Sequence, residues 1–463
     1  MSPLTYLEFN CYKSMLAPFE ENGVWWLPEN PDSKVTGRLS YDPPGALTLQ
    51  VVGNFDFEEH DLLHGVLATG DKVTLRKVIL GESSFTTNAP PESEYIAHEC
   101  FKGAHFESEE SIAFDELLIQ ITNFDAWAAN ISGFDFTNLQ DGISLDYELP
   151  EVRSYSAGDD LSLDLHPHVS TNSSGYSEFN IEEYLRLDLK KTEETDVDEW
   201  METARRLVNL ITFFVGSNVQ LKEVYGRSEK FSREINGQDY KDKIQIIKSK
   251  SDTYGTKEEV HPRRMRVKYG EVEENLSEMI TLWMEFFDEL KPAMDLYFNV
   301  QYRKNMALER RFLSLAQALE VLHRRVSHFS NQQVSDDKHD ERISAIIESA
   351  PEDYEEWLDR VLSYSNEPSL RHRIGEIRGR IPDTIQNLIG GSFKHKIADT
   401  RNYLTHYDES DESGAKIDGL LHLGDKLEIL FVSEIFKMLG LDDEKIAEVM
   451  NEDIRRARAL EDQ

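Results

Sequence analysis

The sequence predicts an α+β chain of more than one domain, with a β-rich sandwich or barrel-like N-terminal part and an all-α helical bundle in the C-terminal part. Three observations carry this expectation. Short runs rich in β-branched and aromatic residues, separated by Pro43-Pro44-Gly45, Gly70-Asp71 and Gly81, fill the first part of the chain. Near Asp196 the apolar residues change to a helical spacing of three and four. A length of 463 residues is enough for two or three domains with a full core. The expected boundaries are a β-rich domain over 1–195, a helical connector and polar linker over 196–264, and a helical domain over 265–463.

Strands are expected at Val35–Tyr41, Leu47–Val52, 73–80, 95–101 and 117–122. The stretch from Gly65 to Lys72 comes close to a phosphate-binding loop. Asp71, however, stands where that motif needs Lys, and strand-like sequence follows where it needs a helix, so the stretch reads as a hairpin. Two groups invite a metal reading: His60 and His64 beside Glu58 and Glu59, and Asp164 with His166 and His168. Surface histidines near acids are the commoner case.

Between Asp196 and Gly216, Trp200, Ala204, Leu207, Leu210, Ile211 and Phe214 recur at three and four, which makes a helix onto which both halves can pack. Residues 226–264 are polar and read as a mobile connection or a small extension. The basic runs 241–250 and 263–268 either touch RNA or form a solvated face.

The remainder is helical almost throughout. Segments 273–297 and 306–328 are long and amphipathic and should pair antiparallel, with Phe312, Leu315, Ala316, Leu319, Leu322 and Val326 as the core stripe of the second. Glu320 falls near that stripe, where a buried carboxylate needs a cation. Arg401 is the candidate partner, the alternative being a surface position for Glu320. After an acidic loop at 331–341, helices are expected at 342–348, 353–364, Leu370–Arg380 and 384–389. Gly390-Gly391-Ser392 marks a break, with Ser392 as the N-cap of a helix whose Phe393, Ile397 and Leu404 face the core. Residues 409–414 end that helix, and 420–439 and 444–459 close the bundle.

A formal charge of −37 argues against a nonspecific nucleic-acid binder, since such proteins use Lys and Arg to displace counterions from phosphates. The charge is uneven. Residues 1–150 carry 7 Lys/Arg against 25 Asp/Glu, whereas 367–406 carry 7 against 4, supplied by Arg371, Arg373, Arg378, Arg380, Lys394, Lys396 and Arg401. An acidic body with one basic strip fits a protein that admits RNA at one place and repels it elsewhere. Cys11 and Cys100 cannot build a disulfide framework, and no Cys/His zinc spacing occurs. No apolar run is long enough to span a bilayer, and the N-terminus lacks a signal-like pattern. The expectation is a cytoplasmic protein without a membrane partner and without a metal or other cofactor.

The chemistry concentrates between Arg401 and Asp408, where a cation, an amide and an imidazole occur within six residues. A guanidinium can hold two phosphate oxygens in a fork, and an imidazole with a pKa of about 6.5 can move protons near neutrality. On a helix Asn402 and His406 lie one above the other, and Arg401 needs its long stem to reach the same ligand. None of the other thirteen histidines follows an arginine at a spacing of five, six or seven. On chemistry alone, Arg401 can also pair with Asp399 or Glu320 while His406 caps or packs.

The stretch 401–408, the helices before it and its place near the C-terminus resemble the HEPN domain, a helical bundle whose Arg-(Asn/Asp/His)-x(3 to 5)-His signature marks metal-independent RNases. Arg401, Asn402 and His406 match that signature position by position, and 311–320 is similar to the family's early long helix. Gly23-Val-Trp-Trp-Leu-Pro28, followed by Lys34-Val-Thr-Gly-Arg-Leu-Ser40, looks like the ApeA N-terminal domain that precedes HEPN domains in phage-resistance proteins. The resemblance implies an endoribonuclease acting on RNA, tRNA included, through Arg401, Asn402 and His406. Arg371, Arg373, Arg378, Lys394 and Lys396 would guide the RNA, and Tyr407 to Gly414 would lie at the mouth of a cleft shared by a homodimer. It also implies a toxin-like role in antiviral defence by abortive infection, a phage-derived trigger, and Trp25 and Trp26 as core or interface aromatics and not a base-stacking platform. The rival reading is a non-catalytic HEPN dimerisation module with a partner-sensing β-domain.

Overall fold

The computed structural model describes residues 16–55, 58–84, 92–139, 142–174, 178–235, 237–249, 259–303, 305–329, 332, 334–363, 365–406 and 417–461. They belong to two compact units, Met1–Thr281 and Leu282–Gln463. The first is β-rich and the second helical, as the sequence predicts. The division differs from the expected boundaries at 195 and 264, because the stretch read as a polar linker supplies strands to the middle of the sheet.

In the first unit the strands are β1 (Phe19–Trp26), β2 (Val35–Tyr41), β3 (Leu47–Val52), β4 (Glu59–Leu67), β5 (Lys72–Ser84), β6 (Glu92–Lys102) and β7 (Ala113–Ile121). A short helix α1 (Phe124–Trp127) and a separate hairpin, β8 (Phe134–Leu139) and β9 (Gly142–Tyr147), follow. Then come β10 (Arg153–Ala157), β11 (Leu161–Ser174), β12 (Glu178–Asp196), helix α2 (Val197–Val215), β13 (Leu221–Arg227), the small hairpin β14 (Ser232–Ile235) and β15 (Gln238–Lys241), and β16 (Ile244–Lys248). The long sheet runs β10-β11-β12-β7-β13-β16-β6-β3-β2-β1-β4-β5, and β5 also pairs with β6, so the last six strands close into a barrel.

Alternation builds that barrel. In β3, Leu47, Leu49 and Val51 point inward while Gln50 and Val52 face solvent. Trp25 is fully buried inside, opposite Gly65 on β4, where an added Cβ would lie 2.3 Å from the indole Cε3. Trp26 is buried as well, edge-on to His64 and His105, so both tryptophans are core residues. The 65–72 stretch is the β4–β5 hairpin, turning at Gly70 with φ 94°. His60 and His64 lie on strand β4, the first against Glu29 and the second bonded to the Phe106 carbonyl at 2.8 Å. Asp164 is held by Ser154 and Lys190 on the outer strands.

Strand β6 joins the barrel to the open sheet. One edge pairs with β3 over Glu92 to Ala97 and with β16 over Glu99 to Lys102. A buried ion network sits at that branch: Arg76 meets Glu99 at 2.6 Å and both oxygens of Asp198 at 2.7 and 2.8 Å, and Lys248 reaches Glu99 at 3.1 Å. Helix α2 starts where Asp196 accepts from the Asp198 N–H, ends at Gly216 with φ 71°, and packs on β7 and β12.

The second unit contains most of α3 (Leu276–Tyr302), within which the division falls, and α4 (Leu308–Arg325), α5 (Asp336–Glu348), α6 (Glu355–Leu362) and α7 (Leu370–Arg380). After these come α8 (Asp383–Ile389), α9 (Phe393–His406), α10 (Ile417–Met438), α11 (Asp443–Val449) and α12 (Asn451–Glu461). The expected stripe from Phe312 to Val326 is buried. Helix α4 packs most extensively on α10, fastened by Arg311 to Asp425 at 2.8 Å and to Glu428 at 2.7 Å. Tyr297 of α3 stacks on Phe431 of α10. Among the described residues no helix is long and apolar enough to cross a membrane.

Because the Trp25 indole fills the space a side chain at position 65 would need, Gly65→Ala should cost about 1–3 kcal/mol. Urea unfolding of the barrel is the measurement, and a variant as stable as the parent would contradict this packing.

Candidate active site

Helix α9 carries the Arg401 motif. Phe393, Ile397, Thr400 and Leu404 recur at three and four and are buried, and the helix packs against α7 and α4. At about 100° per residue, Asn402 and His406 then fall on the side away from that stripe, with Arg401 on its flank. Accordingly Asn402 is exposed and Arg401 half-buried. The Arg401 stem closes the gap: Nη1 donates to Oδ1 of Asn402 at 3.4 Å. The Arg401 carbonyl accepts from Thr405 Oγ1 at 2.7 Å. His406 is the last residue of the helix, one turn beyond Asn402. Its side chain, and the expected cleft mouth from Tyr407 to Gly414, lie outside the described residues.

The carboxylates that compete for Arg401 in the sequence are engaged elsewhere. Asp399 pairs with Arg371 of α7. Residues two apart on a helix face opposite ways, so Asp399 turns to α7 while Arg401 turns from it. Glu320 pairs with Arg324, one turn along α4, at 3.6 Å. The expected Glu320–Arg401 pair is therefore corrected. Among the described residues no carboxylate forms an ion pair with Arg401.

The expected RNA-guiding strip divides. Lys396 is exposed on α9, Lys394 is half-buried with its stem near Gly375, and Arg371 is exposed but paired. Arg378 donates to the Gln386 carbonyl at 2.7 Å, linking α7 to α8. Arg373 is the clear correction. It is 1 % exposed, donates to the Pro368 carbonyl at 3.1 Å and to Nδ1 of His323 at 3.0 Å, and so belongs to the interior.

The His323 contact also fixes that ring's protonation. A guanidinium only donates, so Nδ1 is the acceptor, and Nε2–H donates to Glu376 at 2.6 Å. The ring is neutral and lies flat against Phe329. One residue was overlooked in the sequence. His395 is exposed and, seven residues before Asn402 and eleven before His406, shares their side of α9. The seven- and eleven-residue spacings are the signal. It stands about 10 Å along the axis from Asn402.

Burial pushes the His323 imidazole below its ordinary pKa, with the nearby Arg373 charge acting in the same direction and Glu376 opposing. The unfolded chain then binds the proton first as pH falls. The stability that the neutral ring contributes is complete above about pH 6.5 and is lost as pH drops toward the folded value. Denaturant unfolding of His323→Gln should show a shallower loss across this window than the parent. A parent slope no steeper than the variant's would contradict a buried neutral ring.

Residues 20–283 match the family described as ApeA N-terminal domain 1, and residues 313–445 match the Apea-like HEPN family. No curated protein matches the chain. Among solved structures there is a similarity to MrkH, titled a novel c-di-GMP dependence transcription regulatory factor, at 9% identity, 41% coverage of this chain, 84% of that chain and a TM-score of 0.14. With the first family spanning more than half of its length and the second following in the helical unit, the chain belongs to the ApeA family, an ApeA N-terminal domain followed by an Apea-like HEPN domain.

Proposed function

We propose that this chain is a metal-independent endoribonuclease whose reacting groups are Arg401, Asn402 and His406. HEPN domains are generally ribonucleases, which supports this reaction class. The observation that carries the residue assignment is the pairing of Arg401 with Asn402 at 3.4 Å while Asp399 and Glu320 are taken up by Arg371 and Arg324. A half-buried guanidinium held by a neutral amide, with no carboxylate pairing it among the described residues, suits an anion with planar oxygens.

RNA brings its own nucleophile. The ribose 2'-hydroxyl attacks the adjacent phosphorus, the new 2'-oxygen–phosphorus bond forms, and the bond to the 5'-oxygen breaks. The products are a 2',3'-cyclic phosphate and a 5'-hydroxyl. One proton leaves the 2'-oxygen and one is delivered to the 5'-oxygen. His406 acts in this exchange as base or acid, a role typically contributing about 10² to 10⁴ in rate. Arg401 stabilises charge developing on the phosphorane, and Asn402 holds the phosphate or His406.

One imidazole is few for both proton transfers. A homodimer with a two-fold axis near α9 supplies a second Arg401, Asn402 and His406, and HEPN domains typically dimerise. Lys394, Lys396 and Arg371 line the approach for the backbone. Single-stranded loops, including tRNA anticodon loops, suit the in-line geometry because their backbone can be splayed. The cellular role consistent with the family is cytoplasmic antiphage defence by growth arrest after a phage-derived trigger.

The test is RNA-end sequencing after incubation of the purified chain with RNA in excess EDTA. Cyclic-phosphate and 5'-hydroxyl ends are expected with the parent and absent with a folded His406→Ala. Undiminished cleavage by that variant, or a strict magnesium requirement, overturns the assignment.

A further inference from the structure

Helices α5 and α6 leave the bundle and return to it as one arm. Its base is clipped by Asn366, whose Oδ1 accepts from the Val334 N–H at 3.1 Å and whose Nδ2 donates to the Val334 carbonyl at 3.0 Å. Beyond that clip neither helix has a buried residue. Ile343, Ile347, Leu358 and Leu362 are half-buried where the two helices meet. The other large apolar side chains have little over them: Ile346 is 40% exposed, Tyr354 56%, Trp357 51% and Val361 51%. Tyr354, Trp357 and Val361 follow one another at three and four, so they form one stripe along α6.

Helices this short are marginal in water by themselves and depend on tertiary packing, which this arm largely lacks. A contiguous aromatic and aliphatic stripe left open on a surface marks an interaction site. Charge selects the occupant. Residues 336–362 carry ten Asp/Glu against three Lys/Arg, with Glu355, Glu356 and Asp359 exposed on α6 itself. A second copy of the arm would bring like charges together. Residues 407–416, with four carboxylates and one lysine, would repel the arm in the same way.

We propose that the α5–α6 arm is the docking site of a separate protein that presents a basic amphipathic helix. The apolar face of that helix covers Tyr354, Trp357 and Val361, and flanking Lys and Arg meet the carboxylates of the arm. The inference stands on the arm alone and is independent of the ribonuclease reading. The arm leads directly into α7, whose Arg371 holds Asp399 of the motif helix.

The experiment uses the full chain and two fluorescent peptides, an idealised Leu/Lys amphipathic helix and its Leu/Glu counterpart, read by anisotropy at physiological salt. The Leu/Lys peptide should bind the parent and the Leu/Glu peptide should not. Trp357→Ser with Val361→Ser leaves the charge unchanged and should weaken Leu/Lys binding by at least about tenfold. Glu355→Gln, Glu356→Gln and Asp359→Asn together leave the stripe intact and should weaken it too. Equal binding by the serine variant would overturn the proposal, since attraction to an acidic surface would then suffice. Self-association of the parent that is lost in the serine variant would also overturn it, in favour of a second copy.

Discussion

The buried stripe of Phe393, Ile397, Thr400 and Leu404, packed against α7 and α4, holds helix α9 in the rotational setting on which the candidate site depends, and the half-exposed ion pair between Arg371 and Asp399 adds to it. Three features cooperate. Arg373 is locked into the interior by His323 and Pro368, which fixes α7 against α4. Gly375 of α7 lies beside the stem of Lys394, where an added Cβ would make an ordinary contact at 3.4 Å. Arg371 then takes Asp399, and the helical period sets the rest: Asn402 and the His406 backbone position face away from the core, with Arg401 swung to Asn402. Rotating α9 by one residue would carry Asn402 from the outward face to the flank and move Asp399 away from Arg371. The supporting side chains matter to the site although only surface groups would meet RNA.

A comparable device organises the β-rich unit. Arg76 and Glu99 are withdrawn from water at the branch where β6 leaves the barrel, and Asp198 and Lys248 complete the charges. Buried ion pairs rarely add much net stability, because desolvation offsets the attraction. Breaking one is costly, however, since it strands a charge. The network therefore makes alternative registers between β5, β6 and β16 unfavourable, and it ties the start of α2 to the barrel.

Legibility followed how local the physics was. Val35–Tyr41 and Leu47–Val52 could be read to the residue because alternation and turn residues are encoded in the strands themselves. Strand β1 was missed because it carries two glutamates, an asparagine and a glycine, and β4 because two histidines and an aspartate break its pattern. Strand β16 lies in the polar stretch 226–264 that reads as a linker, although Ile244, Ile246 and Ile247 are buried at the sheet centre. In the helical unit the stripe of α4 and the limits of α7 were plain from periodicity. The helix that carries Arg401, Asn402 and His406 was legible for the same reason, with its start next to the expected N-cap Ser392. Arg373 was not, because only a histidine fifty positions earlier shows that this arginine is interior, and the pairing of Glu320 with Arg324 competes with a long-range partner that sequence alone cannot rank.

The central claim is that Arg401, which no carboxylate among the described residues pairs, is the group that receives the phosphate. Single-turnover cleavage of RNA by Arg401→Ala, with helix content checked by circular dichroism, tests it most directly. The account predicts a loss of about 10² to 10³ in rate, partly restored by free guanidinium ions at concentrations too low to unfold the protein. Cleavage at the parental rate by folded Arg401→Ala would contradict it.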